Sequence, residues 1–170
     1  MMQIETQFKQ LRLHGMNRTW MALQETRRHH ELSLSEGLEI LLQAEQQDRE
    51  QKRFERLEKN ARFRYQASIE ELKMEAARGV DKTLITSLAT GDYLSRGESV
   101  LITGATGCGK SFLASALGHQ ACVQGFKVAY YNTQKLLQKT KVARIEGTIY
   151  KFFEKVAKTD LLILDDFGLT

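Results

Sequence analysis

The sequence is poor in the residues that crosslink or kink a chain. Its 170 residues include no proline and only two cysteines, Cys108 and Cys122. So few cysteines exclude a disulfide framework and favour a reducing compartment, whereas the lack of proline carries no functional inference. The amino end lacks the basic start and apolar run of a secretory signal. The longest strongly aliphatic run, Leu161–Leu164, is too short to span a bilayer, so we expect a cytoplasmic location and no membrane partner.

The chain also lacks a strong excess of either charge. It has 25 basic and 21 acidic residues, so its formal net charge of +4 is only a mild bias toward polyanions. Hydrophobic residues make up 42% and charged residues 27%, as is ordinary for a soluble globular protein. This length suits one domain, or one domain with a small appendage.

Residues 1–65 are expected to be helical. Glycine is rare there, occurring at Gly15 and Gly37, and we expect a first short helix to end near Gly15. Ser33 with Glu36 has the spacing of a capping box, which predicts the start of a longer helix.

A polar stretch in this longer helix, Gln43 to Arg53, carries acidic residues four positions before basic ones. Glu45 with Arg49 and Asp48 with Lys52 have this spacing. Such pairs stabilise a helix by a few tenths of a kcal/mol each. We therefore expect a solvated helix face.

Residues 66–98 are expected to form a connector. Asp81 is a candidate cap for a helix that ends near Gly91, with Leu84 and Leu88 on its buried face.

From Ser99 onward, strands alternate with helices. Apolar strands separated by helices indicate a parallel sheet covered on both faces, which is an α/β fold. The expected strands are Val100–Thr103, Lys127–Asn132 and Leu161–Leu164, and the expected helices are Lys110–Gln124, Thr133–Val142 and Thr148–Ala157.

The segment GATGCGKS at Gly104–Ser111 matches the phosphate-loop pattern and lies between an expected strand and a helix. Glycines let the backbone curl so that amide hydrogens point at phosphate, and the helix N-terminus adds its positive dipole end. Lys110 supplies a charge for the outer phosphates, and Ser111 a hydroxyl for Mg2+. The expected nucleotide, most simply ATP, would contact Gly104, Ala105, Thr106, Gly107, Cys108, Gly109, Lys110, Ser111 and Phe112.

Two carboxylates, Asp165 and Asp166, follow the aliphatic run Leu161–Leu164. A buried strand delivers its last side chains at the carboxyl edge of the sheet, where ligands bind in open α/β folds. We expect Asp165 to orient Mg2+ through water and Asp166 to act as the general base. Lys110, which contacts the outer phosphates, is the second candidate catalytic residue. The alternative is an acidic turn after a core strand. The D-x-x-G pattern that begins at Asp165 also leaves GTP open.

An acid-free basic run follows the second expected strand. Its four members are Lys135, Lys139, Lys141 and Arg144. A solvated helix face explains them, and phosphate contact with DNA is the functional alternative.

The chain resembles the IstB-type ATP-binding proteins of insertion sequences. These are relatives of the DnaC-type helicase loaders, in the AAA+ (ASCE) class of P-loop NTPases. The resemblance covers essentially the whole chain, and its most specific segment is Asp160–Leu169. It is also carried by Leu11–Met16, Asn60–Phe63 and Gly97–Gly104.

The resemblance implies an α/β P-loop NTPase with a parallel sheet core and a helical amino-terminal domain. It implies an ATP-driven helper of DNA transposition that forms a homo-oligomer on DNA and engages a transposase. The implied division is 1–65 for partner or DNA interaction, 66–98 as connector and 99–170 as part of the ATPase core.

Two departures from the family stand out. Arg64 occupies a position where the family often has proline. The family's module also continues beyond the acidic strand with a sensor strand and a helix that bears an arginine finger. We therefore expect this chain to bind ATP without efficient turnover. The rival interpretations are a helicase loader and a non-catalytic module that binds nucleotide or DNA.

Overall fold

The structure is a computed structural model that describes residues 2–72 and 81–168. It divides into two compact units, Met1–Glu55 and Arg56–Thr170; the three-part division at residues 65 and 98 stays a prediction. In chain order, the helices and strands are α1 Met2–Gln10, α2 His14–Glu25, a 3₁₀ turn Arg28–His30, α3 Leu34–Ala61, α4 Lys82–Ala89, α5 Asp92–Ser95, α6 Lys110–Val123, β1 Val128–Asn132, α7 Thr133–Ile145, α8 Ile149–Ala157 and β2 Leu161–Asp165.

The sequence analysis expected the first helix to end near Gly15, and the structure contradicts this. Helix α1 ends at Gln10, and Gly15 is a buried residue of α2. A Cβ atom built on Gly15 would lie 2.3 Å from the carbonyl oxygen of Ala44 in α3. The missing side chain at Gly15 therefore lets α2 and α3 pack closely. The sequence does not show this role, because glycine usually indicates the end of a helix.

The capping box at the start of α3 is confirmed. The Ser33 backbone N–H donates to Glu36 Oε2 at 2.8 Å, and the Glu36 backbone N–H donates to Ser33 Oγ at 3.3 Å. The two side chains thus satisfy backbone donors that the first helical turn leaves without partners.

The expected ion pairs of α3 are also confirmed, but their acids do not lie on a solvated face. Glu45 pairs with Arg49 at 2.8 Å and Asp48 with Lys52 at 2.6 Å, while Glu45 and Asp48 are only 6% and 7% exposed. Burial is tolerated because Glu45 Oε2 accepts hydrogen bonds from two backbone N–H groups in the first turn of α2. Those donors have no partner within α2, and the helix dipole favours an anion there.

Helix α4 begins at the expected cap, but the residue that it buries is neither of the two that were expected. The Thr83 backbone N–H donates to Asp81 Oδ1 at 2.8 Å, which confirms the cap. The buried residue is Ile85, whereas Leu84 is 56% exposed and Leu88 is half-buried. The apolar residues of α4 are adjacent in sequence, so the pattern alone did not decide which one faces the core. Connector residues 73–80 lie outside the described part of the chain.

The described sheet consists of β1 and β2, which pair in parallel from Val128–Leu161 to Asn132–Asp165. The α/β class and the parallel pairing are therefore confirmed. Helix α6 packs against this sheet through Gly118, where an added Cβ would lie 2.5 Å from Phe63 and 2.8 Å from Ile163.

Two details of the expected sheet are wrong. Val100–Thr103 is not a strand in the described chain, and Leu101 is 80% exposed. A strand needs ladder bonds to a neighbour, and no described strand pairs with this segment. Strand β2 is also not covered on both faces, because Leu162 and Leu164 are 39% and 36% exposed.

None of the helices in the described residues combines the length and the apolar character that crossing a bilayer demands.

Candidate functional site

The expected phosphate loop forms an exposed turn directly before α6. Gly107 and Gly109 have φ angles of 79° and 95°, in the left-handed region that L-residues with side chains rarely adopt. Gly109 is the N-cap of α6, and no side chain caps this helix. The backbone donors of its first turn are therefore open to an anion.

Lys110 folds back over this turn. Its Nζ donates to the carbonyl oxygens of Gly104 at 2.9 Å and Ala105 at 2.8 Å. The ammonium group is thus held against the loop, where it can transfer its hydrogen bonds to phosphate oxygens.

Ser111 joins the loop to the acidic strand. Its Oγ donates to Asp165 Oδ1 at 2.8 Å, although 54 residues separate the two. The structure therefore brings together the two residues that the sequence analysis assigned to Mg2+.

Asp165 accepts hydrogen bonds from four donors. Ser111 Oγ and the Asp166 backbone N–H bond its Oδ1, while Tyr130 OH and Arg64 Nη1 bond its Oδ2. Burial raises the pKa of Asp165, but these hydrogen bonds outweigh it and lower the pKa below its usual range. Burial and the bond to Asp165 raise the pKa of Tyr130, so Tyr130 stays a donor.

Asp166 lies next to Asp165 with a positive φ of 55°. Its Oδ2 accepts a hydrogen bond from Asn132 Nδ2 at 2.7 Å, and its side chain is 36% exposed. Asn132 also caps α7, because its Oδ1 accepts from the Lys135 backbone N–H at 3.2 Å. One amide therefore fixes both the carboxylate and the start of the next helix.

The sequence analysis did not assign Arg64, Tyr130 or Asn132 to this site. Asn132 could have been found, because a polar residue at the carboxyl end of a neighbouring parallel strand is placed beside the acidic residues. Arg64 carried no such signal, since 101 residues separate it from Asp165.

The donor set fits Mg2+. The ion prefers oxygen ligands and is usually held by one or two carboxylates together with substrate phosphates, and Ser111 and Asp165 offer adjacent oxygens. Within the part of the chain that the structure describes, no cluster of three or more His, Cys, Asp or Glu residues could hold a metal.

The remaining loop residues have simple surroundings. Thr106 is exposed, and Cys108 is an exposed thiol that lies close to Gly104. Phe112 is half-buried, with its ring centroid 6.3 Å from that of Tyr65. Burial, with a smaller contribution from Glu58, raises the pKa of Cys122 to about 12, so this second thiol is unreactive.

The basic run lies on α7 but does not form one face. All four side chains are exposed. With about 100° per residue, Lys135 and Lys139 lie on one side of the helix, and Lys141 and Arg144 lie on another. Lys139 Nζ is 5.6 Å from the ring centroid of Tyr131. The structure therefore separates the candidate DNA contacts into two pairs.

Comparison with known proteins shows that the sequence of this chain matches a family. Residues 6–170 match the family described as IstB-like ATP binding protein. A protein of Pseudomonas fluorescens, named for ATP binding and for insertion sequence IS1162, is 42% identical over 96% of this chain and 71% of its own length. An insertion-sequence ATP-binding protein of Sinorhizobium fredii, y4uH, is 37% identical over 95% of this chain and 65% of its own length.

A third relative, named for ATP binding and for insertion sequence IS21 in Pseudomonas aeruginosa, is 27% identical over 99% of this chain. The chain spans 63% of that relative's length. The match over residues 6–170 takes in both units, including the loop, the acidic strand and the helices of the first unit. The chain therefore belongs to the family of IstB-like ATP-binding proteins of insertion sequences.

Proposed function

We propose that this chain binds ATP with Mg2+ through residues Gly104–Phe112, with Ser111 and Asp165 at the metal. The observation that carries the proposal is the 2.8 Å hydrogen bond between Ser111 Oγ and Asp165 Oδ1. It puts the loop hydroxyl and the strand carboxylate at one point, beside the open N-terminus of α6.

The residues of the site have separate tasks in this proposal. Bound Mg-ATP supplies the phosphoryl group and a dication that neutralises it. Lys110 exchanges its loop carbonyls for phosphate oxygens, and Asp166 accepts the proton of the attacking water. Asn132 orients Asp166 by one hydrogen bond to Oδ2, which leaves the other lone pairs of the carboxylate to the water. Slow turnover by this chain alone stays a prediction from the family resemblance.

The wider role that we propose is that of an ATP-dependent helper of DNA transposition in the cytoplasm. Its partners are DNA, a transposase and further copies of the same chain. Support comes from relatives whose names refer to insertion sequences. These roles stay proposals for this chain, which spans 64–71% of the length of the first three relatives.

The loop assignment is tested by Lys110→Ala. We expect ATP affinity to fall roughly ten- to hundredfold, because a charge-assisted contact contributes about 1.5–3 kcal/mol. Binding of a fluorescent N-methylanthraniloyl ATP, measured by titration with Mg2+ present, checks it. Lys151→Ala is the matched control, since Lys151 is an exposed lysine of α8. Unchanged affinity in Lys110→Ala would overturn the site.

The DNA contact is tested by salt dependence. Because the basic residues of α7 form two pairs on different sides, a duplex should engage one pair. The slope of log affinity against log salt is then about −2, rather than about −3.6 for four contacts. We expect only one of the double variants Lys135→Ala/Lys139→Ala and Lys141→Ala/Arg144→Ala to flatten it. If both double variants flattened the salt dependence equally, or if neither did, the proposed contact through one pair would be wrong.

A further inference from the structure

A guanidinium group from outside the loop and the acidic strand lies against both carboxylates of the site. Arg64 Nη1 is 3.3 Å from Asp165 Oδ2 and 3.8 Å from Asp166 Oδ2. Arg64 follows the end of α3 by three residues and belongs to neither motif. The motifs therefore do not account for a cation at this point.

The four donors at Asp165 leave it little capacity for another ligand. A carboxylate offers about four lone-pair directions, and each oxygen of Asp165 already accepts two hydrogen bonds. A metal ion, or water bound to it, can approach Asp165 only if one donor leaves.

The donors differ in how easily they leave. Tyr130 is 8% exposed, and the Asp166 N–H is part of the backbone that follows β2. Ser111 can keep donating to Asp165 while its own lone pairs face a metal. Arg64 is the exposed member, since its side chain is 51% exposed, and an ion pair with such a partner is weak.

We propose that Arg64 occupies the position of the metal's positive charge in the nucleotide-free chain and competes with Mg2+ for Asp165. This inference rests on the proposed Mg-ATP site. Mg2+ held by Asp165 would take the place of the guanidinium, so that the carboxylate pair would exchange one cation for another.

The displaced guanidinium has a second contact that keeps it nearby. Arg64 Cζ lies 5.4 Å from the ring centroid of Tyr65, within the range of a cation–π interaction. A positive charge held there still attracts the phosphates. Arg64 should therefore act in opposite directions, strengthening the binding of metal-free nucleotide and weakening the additional binding that Mg2+ provides.

The experiment measures the affinity for N-methylanthraniloyl ATP in EDTA and in saturating Mg2+. The ratio of the second affinity to the first is the enhancement by Mg2+. In Arg64→Gln we expect metal-free affinity to fall roughly two- to fivefold and the enhancement by Mg2+ to rise by at least the same factor, as for loss of an exposed charge pair. Arg64→Lys keeps the charge, and its ratio should lie closer to that of the wild type.

Arg62→Gln is the matched control, because Arg62 is an exposed arginine two positions earlier. It removes the same charge from the same segment and should leave the ratio unchanged. Equal weakening with and without Mg2+ in Arg64→Gln, or an unchanged ratio, would overturn the competition and leave the ATP site standing. A wild-type chain that binds no nucleotide would instead overturn the proposed function.

Discussion

Each of the two compact units contains a pair of acidic residues held by arginine, and the two pairs differ in what surrounds them. In the first unit, Glu45 and Asp48 are three positions apart on one helix and almost fully buried. In the second, Asp165 and Asp166 are adjacent at the end of β2, with side chains that are 11% and 36% exposed.

The donors explain the difference. Glu45 accepts from backbone N–H groups at a helix start and from Arg49 on its own helix. The two backbone donors have no partner within α2, so Glu45 is a permanent part of the fold. Asp165 accepts from side chains of three separate segments, and both Ser111 and Arg64 can turn to a ligand.

Burial alone therefore does not distinguish a carboxylate of the proposed site from a structural one. Both Glu45 and Asp165 have a lowered pKa, with burial raising it and hydrogen bonds prevailing in each case. What separates them is whether a donor can leave without exposing an unsatisfied backbone group. The same criterion can be applied wherever an acidic pair meets an arginine.

The largest expected effect concerns the packing of α2 against α3, on which the burial of Glu45 depends. Gly15→Ala should lower the free energy of unfolding of the first unit by about 1–3 kcal/mol or more, because the methyl group collides with the backbone of α3. Urea unfolding followed by fluorescence of Trp20, the single tryptophan, reports on this unit.

Gly37→Ala is the matched control for Gly15→Ala, because Gly37 is also helical and has no atom within 4 Å of its Cβ position. It should stabilise the unit by about 0.5–1 kcal/mol. Destabilisation of similar size in both variants would show that the contact between α2 and α3 is not the cause.

A smaller expected effect is the pH dependence of stability that Glu45 provides. A group with a folded pKa below its unfolded value adds stability above the unfolded pKa, and this is lost as pH falls through the folded pKa. For Glu45 the loss should begin below about pH 4.3. Glu45→Gln should make the acid decline of stability shallower, as measured by Trp20 fluorescence in urea at several pH values.

Asp165→Asn is the comparison for that experiment. We expect it to reduce the enhancement of nucleotide binding by Mg2+, whereas Glu45→Gln should leave this enhancement unchanged. If Glu45→Gln altered the Mg2+ dependence as much as Asp165→Asn did, the separation of a structural pair from a site pair would be wrong.

Much of the local structure could be predicted from the sequence. The capping box of Ser33 and Glu36, the cap at Asp81 and the strands on either side of α7 and α8 all depend on residues within a few positions of one another. The loop and the acidic strand were likewise found as motifs, and the structure brings Ser111 and Asp165 together. Their roles at ATP and Mg2+ stay predictions.

The sequence by itself determined where α3, α4, α6 and α7 begin, where the loop before α6 turns at glycine and which carboxylates end an aliphatic strand, because short-range hydrogen bonds and apolar spacing control these features. Tertiary structure decided what periodicity does not encode. It buried Glu45 beneath the start of α2, left Val100–Thr103 without a strand partner and brought Arg64 to Asp165 across 101 residues. Such contacts depend on which distant donors meet which acceptors, and only the packed chain fixes those pairings.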